Sequence, residues 1–157
     1  MKQGYDYIEM KIPAKPEFIG IIRLTLSGIG SRMGFTYDEI EDLKIATSEA
    51  CTNAVQHAYK EDEKGEVKIS FGLYPDRLEV MVSDSGESCN FDEVRQGLGP
   101  YQEGQRVEFL REGGLGLYLI ETLMDKVNIH QNDGVTVFMT KFLEGEQVEM
   151  DAKTLST

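Results

Sequence analysis

A polar row at helical spacing runs through residues 49–57, where Glu49, Asn53 and His57 lie four residues apart. Residues four apart share one face of an α-helix, so a helix here would align a carboxylate, a carboxamide and an imidazole. The amide oxygen is a neutral hard ligand suited to Mg2+, and a carboxylate can orient or deprotonate an attacking hydroxyl. The row suits metal-assisted phosphoryl transfer, but taken alone it favours an ordinary solvated helix face, which has the same spacing.

A second polar motif, Asp84-Ser85-Gly86, directly follows a predicted strand. A carboxylate at a strand end can accept a hydrogen bond from an exocyclic amine such as adenine N6, and Gly86 would let a flat base approach the backbone. By itself, however, Asp-x-Gly equally describes an acidic turn after a strand.

A glycine motif, Gly113-Gly114-Leu115-Gly116-Leu117, opens a predicted helix. Where side chains are missing, backbone amides and a helix N-terminus can meet phosphate oxygens. The motif is not a P-loop, because no Lys-Ser/Thr follows its last glycine. It is not a dinucleotide fingerprint either, because a long loop precedes it and no third glycine comes three residues on. The alternative to a phosphate loop is a flexible hinge.

Two helices must position the polar row. The first runs from Pro16 to Gly34 with one apolar stripe and a proline in its first turn. Thr36 and Glu39 form a capping box that opens the second helix, which carries the row and ends near Tyr59. Three glycines lower the helix propensity of the first helix and would allow another backbone to approach closely: Gly20, Gly28 and Gly30.

Five segments are predicted as strands, and the first three along the chain alternate apolar and polar residues. They cover residues 6–12, 67–74, 78–83, 127–131 and 135–142, and residues 115–124 form a short apolar helix. Turn residues at 75–76 and 132–134 predict two hairpins. Runs of helices beside hairpins predict an α+β fold, a two-layer sandwich with a mixed sheet and helices on one face.

Residues 86–113 lack periodicity and lie between two of the candidate motifs. A loop this long inside a compact domain is usually functional or mobile, which predicts a lid over the site. We expect one domain over residues 1–145, followed by an acidic, frayed tail at 146–157.

The chain of 157 residues has 28 acidic against 16 basic side chains, a net charge of -12. Nucleic-acid binding needs a basic patch that releases counterions, so the charge argues against a direct nucleic-acid partner and permits a basic protein partner. Cys51 and Cys89, with only two histidines, do not suggest a structural zinc site. Neither a secretory leader nor a membrane-spanning apolar segment is recognisable, which predicts a cytoplasmic protein without membrane contact.

Together, Glu-x-x-x-Asn on a helix, Asp-x-Gly after a strand and Gly-Gly-x-Gly-Leu after a lid resemble the Bergerat-fold (GHKL) ATPases and kinases. The likeness extends to Thr136 in the last strand, where a hydroxyl commonly supports the adenine-binding aspartate in that superfamily. Over nearly its whole length, including SEACTNAVQHAY at 48–59, the chain looks like the stand-alone anti-sigma-factor serine kinases.

The resemblance implies a Bergerat-type ATP-binding fold and an ATP- and Mg2+-dependent serine-protein kinase. Such a kinase is a homodimer that sequesters a stress sigma factor and phosphorylates an anti-anti-sigma (STAS-type) protein on serine. By the same likeness, Glu49 matches the general base and Asn53 the Mg2+ ligand. The adenine site would comprise Asp84, Gly86 and Thr136, and the phosphate loop the residues Gly113, Gly114, Leu115, Gly116 and Leu117.

Arg111 fits a contact with the γ-phosphate, where a guanidinium would offset charge on the transferring group; Arg106 is the second candidate. We expect His57 to have a structural role near the helix C-terminus, and Cys51 to contribute packing.

Two other functions are alternatives to the kinase. One is a nucleotide-gated protein-binding module without transfer, but the presence of both Glu49 and Asn53 counts against it, because a binder needs no base. The other is a detached histidine-kinase ATP-binding domain, which the lack of a phosphoacceptor helix weakens.

Overall fold

The computed structural model describes residues 4–61, 65–84, 116–131 and 135–143. In chain order the elements are strand β1 (Asp6–Pro13), a 3-10 turn (Pro16–Phe18), helices α1 (Ile19–Met33) and α2 (Tyr37–Glu61), strands β2 (Glu66–Leu73) and β3 (Arg77–Ser83), helix α3 (116–123), and strands β4 (Lys126–Gln131) and β5 (Val135–Phe142). Each helix and strand predicted within the described ranges is present there, with bounds within three residues of those expected.

Helix α1 follows a 3-10 turn at Pro16, whose fixed φ suits the start of a helix. Its buried stripe includes Ile22, Leu26 and Ile29. The helix ends at Gly34, which has a φ of 96° and donates its N–H to the Gly30 carbonyl at 3.1 Å. Because other residues rarely adopt a positive φ, this glycine ends the helix and turns the chain toward α2.

Helix α2 begins with the predicted capping box. The Thr36 N–H donates to Glu39 Oε1 at 2.8 Å, and the Glu39 N–H donates to Thr36 Oγ1 at 3.2 Å. The two helices pack closely at Gly30, where an added Cβ would lie 2.7 Å from Ile40 Cγ1. The close neighbour at this glycine is therefore the Ile40 side chain rather than another backbone.

The five strands form one sheet in the order β1-β2-β3-β5-β4, and all four neighbouring pairs are antiparallel. The prediction of a mixed sheet is wrong in this respect. Strand β4 runs parallel to β3, but β5 lies between them, so the described strands form no parallel pair. Two helices between β1 and β2 bring the chain back in the opposite direction, and the hairpins β2–β3 and β4–β5 are antiparallel by construction.

One face of the sheet forms the core with the helices. Ile69, Val82 and Val137 are successive cross-strand partners on that face and are at most 2% exposed. Helix α2 contacts β2, β3 and β5, and α1 packs on α2. This arrangement confirms the α+β two-layer sandwich with helices on one face.

Within the described ranges, no helix combines the length and apolar character needed to cross a bilayer. The predicted lid at 86–113 and the tail at 146–157 lie outside the described residues. The limits of the single domain, 1–145, therefore stay a prediction.

Candidate functional site

The middle of α2 carries Glu49 and Asn53 one turn apart, and both side chains are half-buried. The adjacent stripe of the helix packs in the core through Leu43, Ala46, Ala50 and Ala54. Because this packing sets the rotation of α2 about its axis, it also sets the direction of the polar row.

Gly116, the first described residue of α3, lies against that row. A Cβ added to it would lie 2.9 Å from Glu49 Oε1 and 3.4 Å from Asn53 Nδ2. The carboxylate and the amide therefore both approach Gly116, where an added Cβ would displace the Glu49 carboxylate. The unpaired N–H groups of a helix N-terminus attract anions, so a phosphate, a carboxylate base and a metal-binding amide could meet here.

Helix α3 is held in place by its apolar side. Leu117 and Ile120 are fully buried and Met124, just beyond the helix, is 5% exposed, a spacing that gives one stripe. Tyr118 on the other side is 64% exposed. The predicted phosphate-loop residue Leu117 thus serves in the core, one position after the glycine that faces Glu49.

Asp84 lies immediately after β3 and is 6% exposed. Its backbone N–H donates to the Val135 carbonyl at 3.3 Å, and its Oδ1 accepts from the Val135 N–H at 3.1 Å. The pairing of β3 with β5 thus continues one residue past the strand and holds the carboxylate in place. A buried carboxylate held in this way can accept a hydrogen bond from an adenine amine.

Thr136 is 1% exposed and lies opposite Ser83 in the register of β3 and β5. The residue opposite Asp84 is Val135, so Thr136 is one position along from the aspartate. Direct cross-strand partners share a face of the sheet, which places the Thr136 side chain on the face of Ser83. Its support of Asp84 stays a prediction.

An open groove of about 370 Å³ adjoins Glu49 between α1 and α2. Its lining residues are Arg23, Glu41, Lys44, Ile45, Ser48 and Glu49. Arg23 Nη1 donates to Ser48 Oγ at 3.2 Å across the two helices. Sequence reasoning missed this groove; the only signal was Arg23, a charge inside an otherwise apolar helical stretch.

Several predicted site residues fall outside the described part of the chain: Gly86, Arg106, Arg111, Gly113, Gly114 and Leu115. His57 lies in α2, but its side chain is also outside the described set. Cys51 is fully buried, and burial raises the pKa of its thiol to about 12. The thiol therefore stays protonated near neutral pH and packs as a small apolar group.

The donor set around Gly116 fits ATP with Mg2+. Asn53 presents Nδ2 to Gly116, and a half-turn of its amide would present the oxygen that a hard cation needs. Among the described residues, no three acidic, histidine or cysteine side chains cluster to hold a metal. Mg2+ at Asn53 would then take its other ligands from phosphate oxygens and water, its usual arrangement in phosphoryl-transfer sites.

Comparison with known proteins gives the family context. A protein-family model described as "Histidine kinase-like ATPase domain" matches residues 12–141 of the chain. The chain is 67% identical over 151 residues to the serine-protein kinase RsbW of Bacillus subtilis (strain 168), covering 96% of this chain and 94% of that protein. It is 56% identical over 154 residues to the serine-protein kinase RsbW of Oceanobacillus iheyensis, covering 98% of each chain.

A solved structure shares the fold. The crystal structure of the RsbU and RsbW domains of a Mycobacterium tuberculosis protein aligns with a TM-score of 0.61 at 21% identity. The alignment covers 87% of this chain but only 32% of the longer one. At this identity the likeness supports the architecture alone.

Proposed function

The chain belongs to the histidine kinase-like ATPase domain family and, within it, to the RsbW serine-protein kinases, and we propose that it couples kinase activity to the sequestration of a sigma factor. In this proposal it binds ATP with Mg2+, holds a stress-response sigma factor, and phosphorylates an anti-anti-sigma (STAS-type) antagonist on serine. We infer a cytoplasmic location from the same membership.

The observation that carries the proposal is the convergence of Glu49, Asn53 and Gly116. Oxygen and nitrogen atoms of the two polar side chains lie within 3.4 Å of the position that a Cβ of Gly116 would take. A pure binding module needs a phosphate cradle but no carboxylate at that point. The presence of a base beside the cradle favours transfer over binding alone.

In the proposed reaction, Glu49 accepts the proton of the partner's serine hydroxyl as that oxygen attacks the terminal phosphorus, and the displaced oxygen leaves with ADP. Bound Mg2+ would offset the negative charge of the phosphates, and Asn53 would hold the ion through its amide oxygen. Gly116 keeps the N-terminal end of α3 open beside both residues. We assign the phosphate contacts to Gly113, Gly114 and Gly116.

The adenine end of the nucleotide would lie at the junction of β3 and β5. Asp84 has one carboxylate oxygen engaged by the Val135 N–H, which restrains the group, and we propose that the carboxylate accepts a hydrogen bond from the adenine amine. Gly86 would leave space for the base beside the backbone. Thr136, one register position from the aspartate, is proposed to support it.

The groove at Glu49 offers a path for the acceptor serine. Arg23 and Ser48 line it on opposite helices, and Glu49 is also among its lining residues. A segment of the anti-anti-sigma protein entering this groove would bring a hydroxyl to the base. Arg111 is proposed to contact the γ-phosphate from the lid at 86–113, in preference to Arg106.

We further propose competition between the two protein partners and assembly as a homodimer. A net charge of -12 suits a basic surface on the sigma factor. Among the described strands, β1 is an edge of the sheet and leaves Tyr7 and Ile8 more than a third exposed, and we propose this edge as the surface that pairs with a second copy. Light scattering of the purified protein tests the dimer directly.

The proposed function is tested by incubating the protein with ATP, Mg2+ and the anti-anti-sigma protein, followed by intact-mass measurement. We expect one added phosphate on the partner, stable to acid and located on serine. ATP binding without any mass change would instead identify a nucleotide-gated binding module. Acid-labile phosphate on a partner would identify a histidine kinase.

A further inference from the structure

Lys141 on β5 joins three elements near the far end of α3. Its Nζ donates to the carbonyl oxygen of Leu123, the last residue of α3, at 2.7 Å. The same Nζ lies 3.6 Å from Asp42 Oδ2 on α2, and the lysine side chain is only 13% exposed. A cation at a helix C-terminus satisfies an unpaired carbonyl and interacts favourably with the helix dipole.

Asp42 lies on the same face of α2 as Glu49, seven residues or two turns earlier. Seven residues span about 10.5 Å of helix. In α3, Gly116 and Leu123 are also seven residues apart. Gly116 lies against Glu49, and Lys141 links Leu123 to Asp42. The two helices therefore run side by side in opposite directions, with Gly116 directly against Glu49 and Leu123 linked to Asp42 through the Lys141 side chain.

We propose that Lys141 is a positioning residue that fixes α3 along α2 and thereby holds Gly116 against Glu49 and Asn53. Its action on ATP rests on the proposed function of that site. Because a helix is stiff over two turns, a tie at one end limits tilt and sliding at the other. Release of the tie would let the N-terminal end of α3 move away from the carboxylate and the amide.

The chain contains a closely matched control. Lys68 on β2 lies 3.7 Å from Glu9, with side-chain exposures of 14% and 38%, against 13% and 35% for Lys141 and Asp42. The Lys68 pair joins two neighbouring strands of the sheet and does not involve α3. Lys68→Met therefore removes an equivalent ion pair and reports any general loss of stability.

The test compares Lys141→Met, Lys141→Arg and Asp42→Asn with Lys68→Met by calorimetric titration with an ATP analogue and Mg2+. We expect Lys141→Met to weaken nucleotide affinity by about tenfold, the scale of one lost hydrogen bond to a charged group. Lys141→Arg, which keeps the cation and donors, should stay within about threefold of wild type. The nucleotide affinity of Asp42→Asn should lie between those of Lys141→Met and Lys141→Arg, and that of Lys68→Met should equal the wild-type affinity.

Hydrogen exchange in the nucleotide-free protein supplies a second readout that does not depend on ATP. The amides at 120–123 bond to carbonyls at 116–119 in α3, and they should exchange about tenfold faster in Lys141→Met than in Lys68→Met. Equal exchange and equal nucleotide affinity in these two variants would overturn the positioning role. A wild-type protein that fails to bind ATP would refute the proposed function instead, while faster exchange in α3 would still support the tie.

Discussion

Replacing Gly116 with alanine probes the geometry of the site without straining the backbone. Gly116 lies in α3. Among the described glycines only Gly4 and Gly34 have a positive φ, so Gly116 has a backbone conformation that other residues adopt. Alanine can therefore adopt the same backbone conformation and is favoured over glycine by up to about 1 kcal/mol in a helix. The added methyl group, however, would lie 2.9 Å from Glu49 Oε1 and 3.4 Å from Asn53 Nδ2.

The steric clash between the added methyl group and the Glu49 carboxylate determines how much Gly116→Ala changes stability and phosphate transfer. Non-bonded heavy atoms attract at about 3.5–4.0 Å, so the Glu49 carboxylate must move by roughly half an ångström or more. Glu49 is half-buried and ends in a rotatable carboxylate, so it can move at small energetic cost. We expect a net change in unfolding free energy below about 1 kcal/mol, or a Tm shift within about 4 °C. Displacement of a catalytic group on this scale should lower the transfer rate by about 10- to 100-fold.

The assay is single-turnover phosphorylation of the anti-anti-sigma protein at saturating ATP, with thermal unfolding measured in parallel. Gly28→Ala is the control, because a Cβ at this position in α1 meets no atom of the described residues within 4 Å. It should leave the transfer rate unchanged and leave stability unchanged or slightly raised. A Gly116→Ala protein that folds normally and transfers phosphate within about threefold of wild type would refute the proposed contact between Gly116 and the base.

Three further substitutions address the nucleotide, the metal and the response to pH. Asp84→Asn can keep its hydrogen bond from Val135 through the amide oxygen but turns a donor toward the adenine amine. ATP affinity should fall by about 1–3 kcal/mol, and calorimetry should find no change in Asp76→Asn, an exposed control in a turn. Asn53→Ala should lower nucleotide affinity about tenfold at saturating Mg2+ and leave the Mg2+-free affinity unchanged; equal affinities at every Mg2+ concentration would exclude it as the ligand. Burial lowers the pKa of His130 below its ordinary value of 6.5, so the unfolded chain binds a proton more readily and stability should fall as pH drops through about 6.5. Between about pH 7.5 and 5.5, the Tm of His130→Gln should therefore fall less steeply with decreasing pH than the Tm of the wild type. The same slope of Tm against pH in both proteins would exclude a contribution from His130.

The elements most accurately predicted from the sequence are those with local physical signals. The capping box of Thr36 and Glu39 and the left-handed Gly34 depend on neighbours within a few residues. Alternation along β2 and β3 predicted these two strands for the same reason, although β3 is buried on both faces over residues 78–83. Glu49, Asn53 and Asp84 could likewise be identified as candidate site residues from their positions along the predicted helix and strand, because the periods of helices and strands are fixed.

Features that depend on distant parts of the chain were not predictable in the same way. The purely antiparallel sheet results from the insertion of β5 between β3 and β4, which no local pattern encodes. Lys141 looked like an ordinary strand lysine, and its contact with Leu123 and Asp42 arises only when three elements pack together. The contact of Gly30 with Ile40 joins two helices that had been predicted separately.

The most direct test of the proposed kinase mechanism is the Glu49→Gln variant in the intact-mass assay with ATP, Mg2+ and the anti-anti-sigma protein. Glutamine keeps the size of the side chain beside Gly116 but cannot accept the serine proton. We expect ATP affinity close to wild type and a transfer rate lowered by about 10²–10⁴-fold, while Glu66→Gln, an exposed control on β2, transfers normally. Transfer by Glu49→Gln within about threefold of the wild-type rate would contradict the assignment of Glu49 as the base, and with it the mechanism proposed for this site.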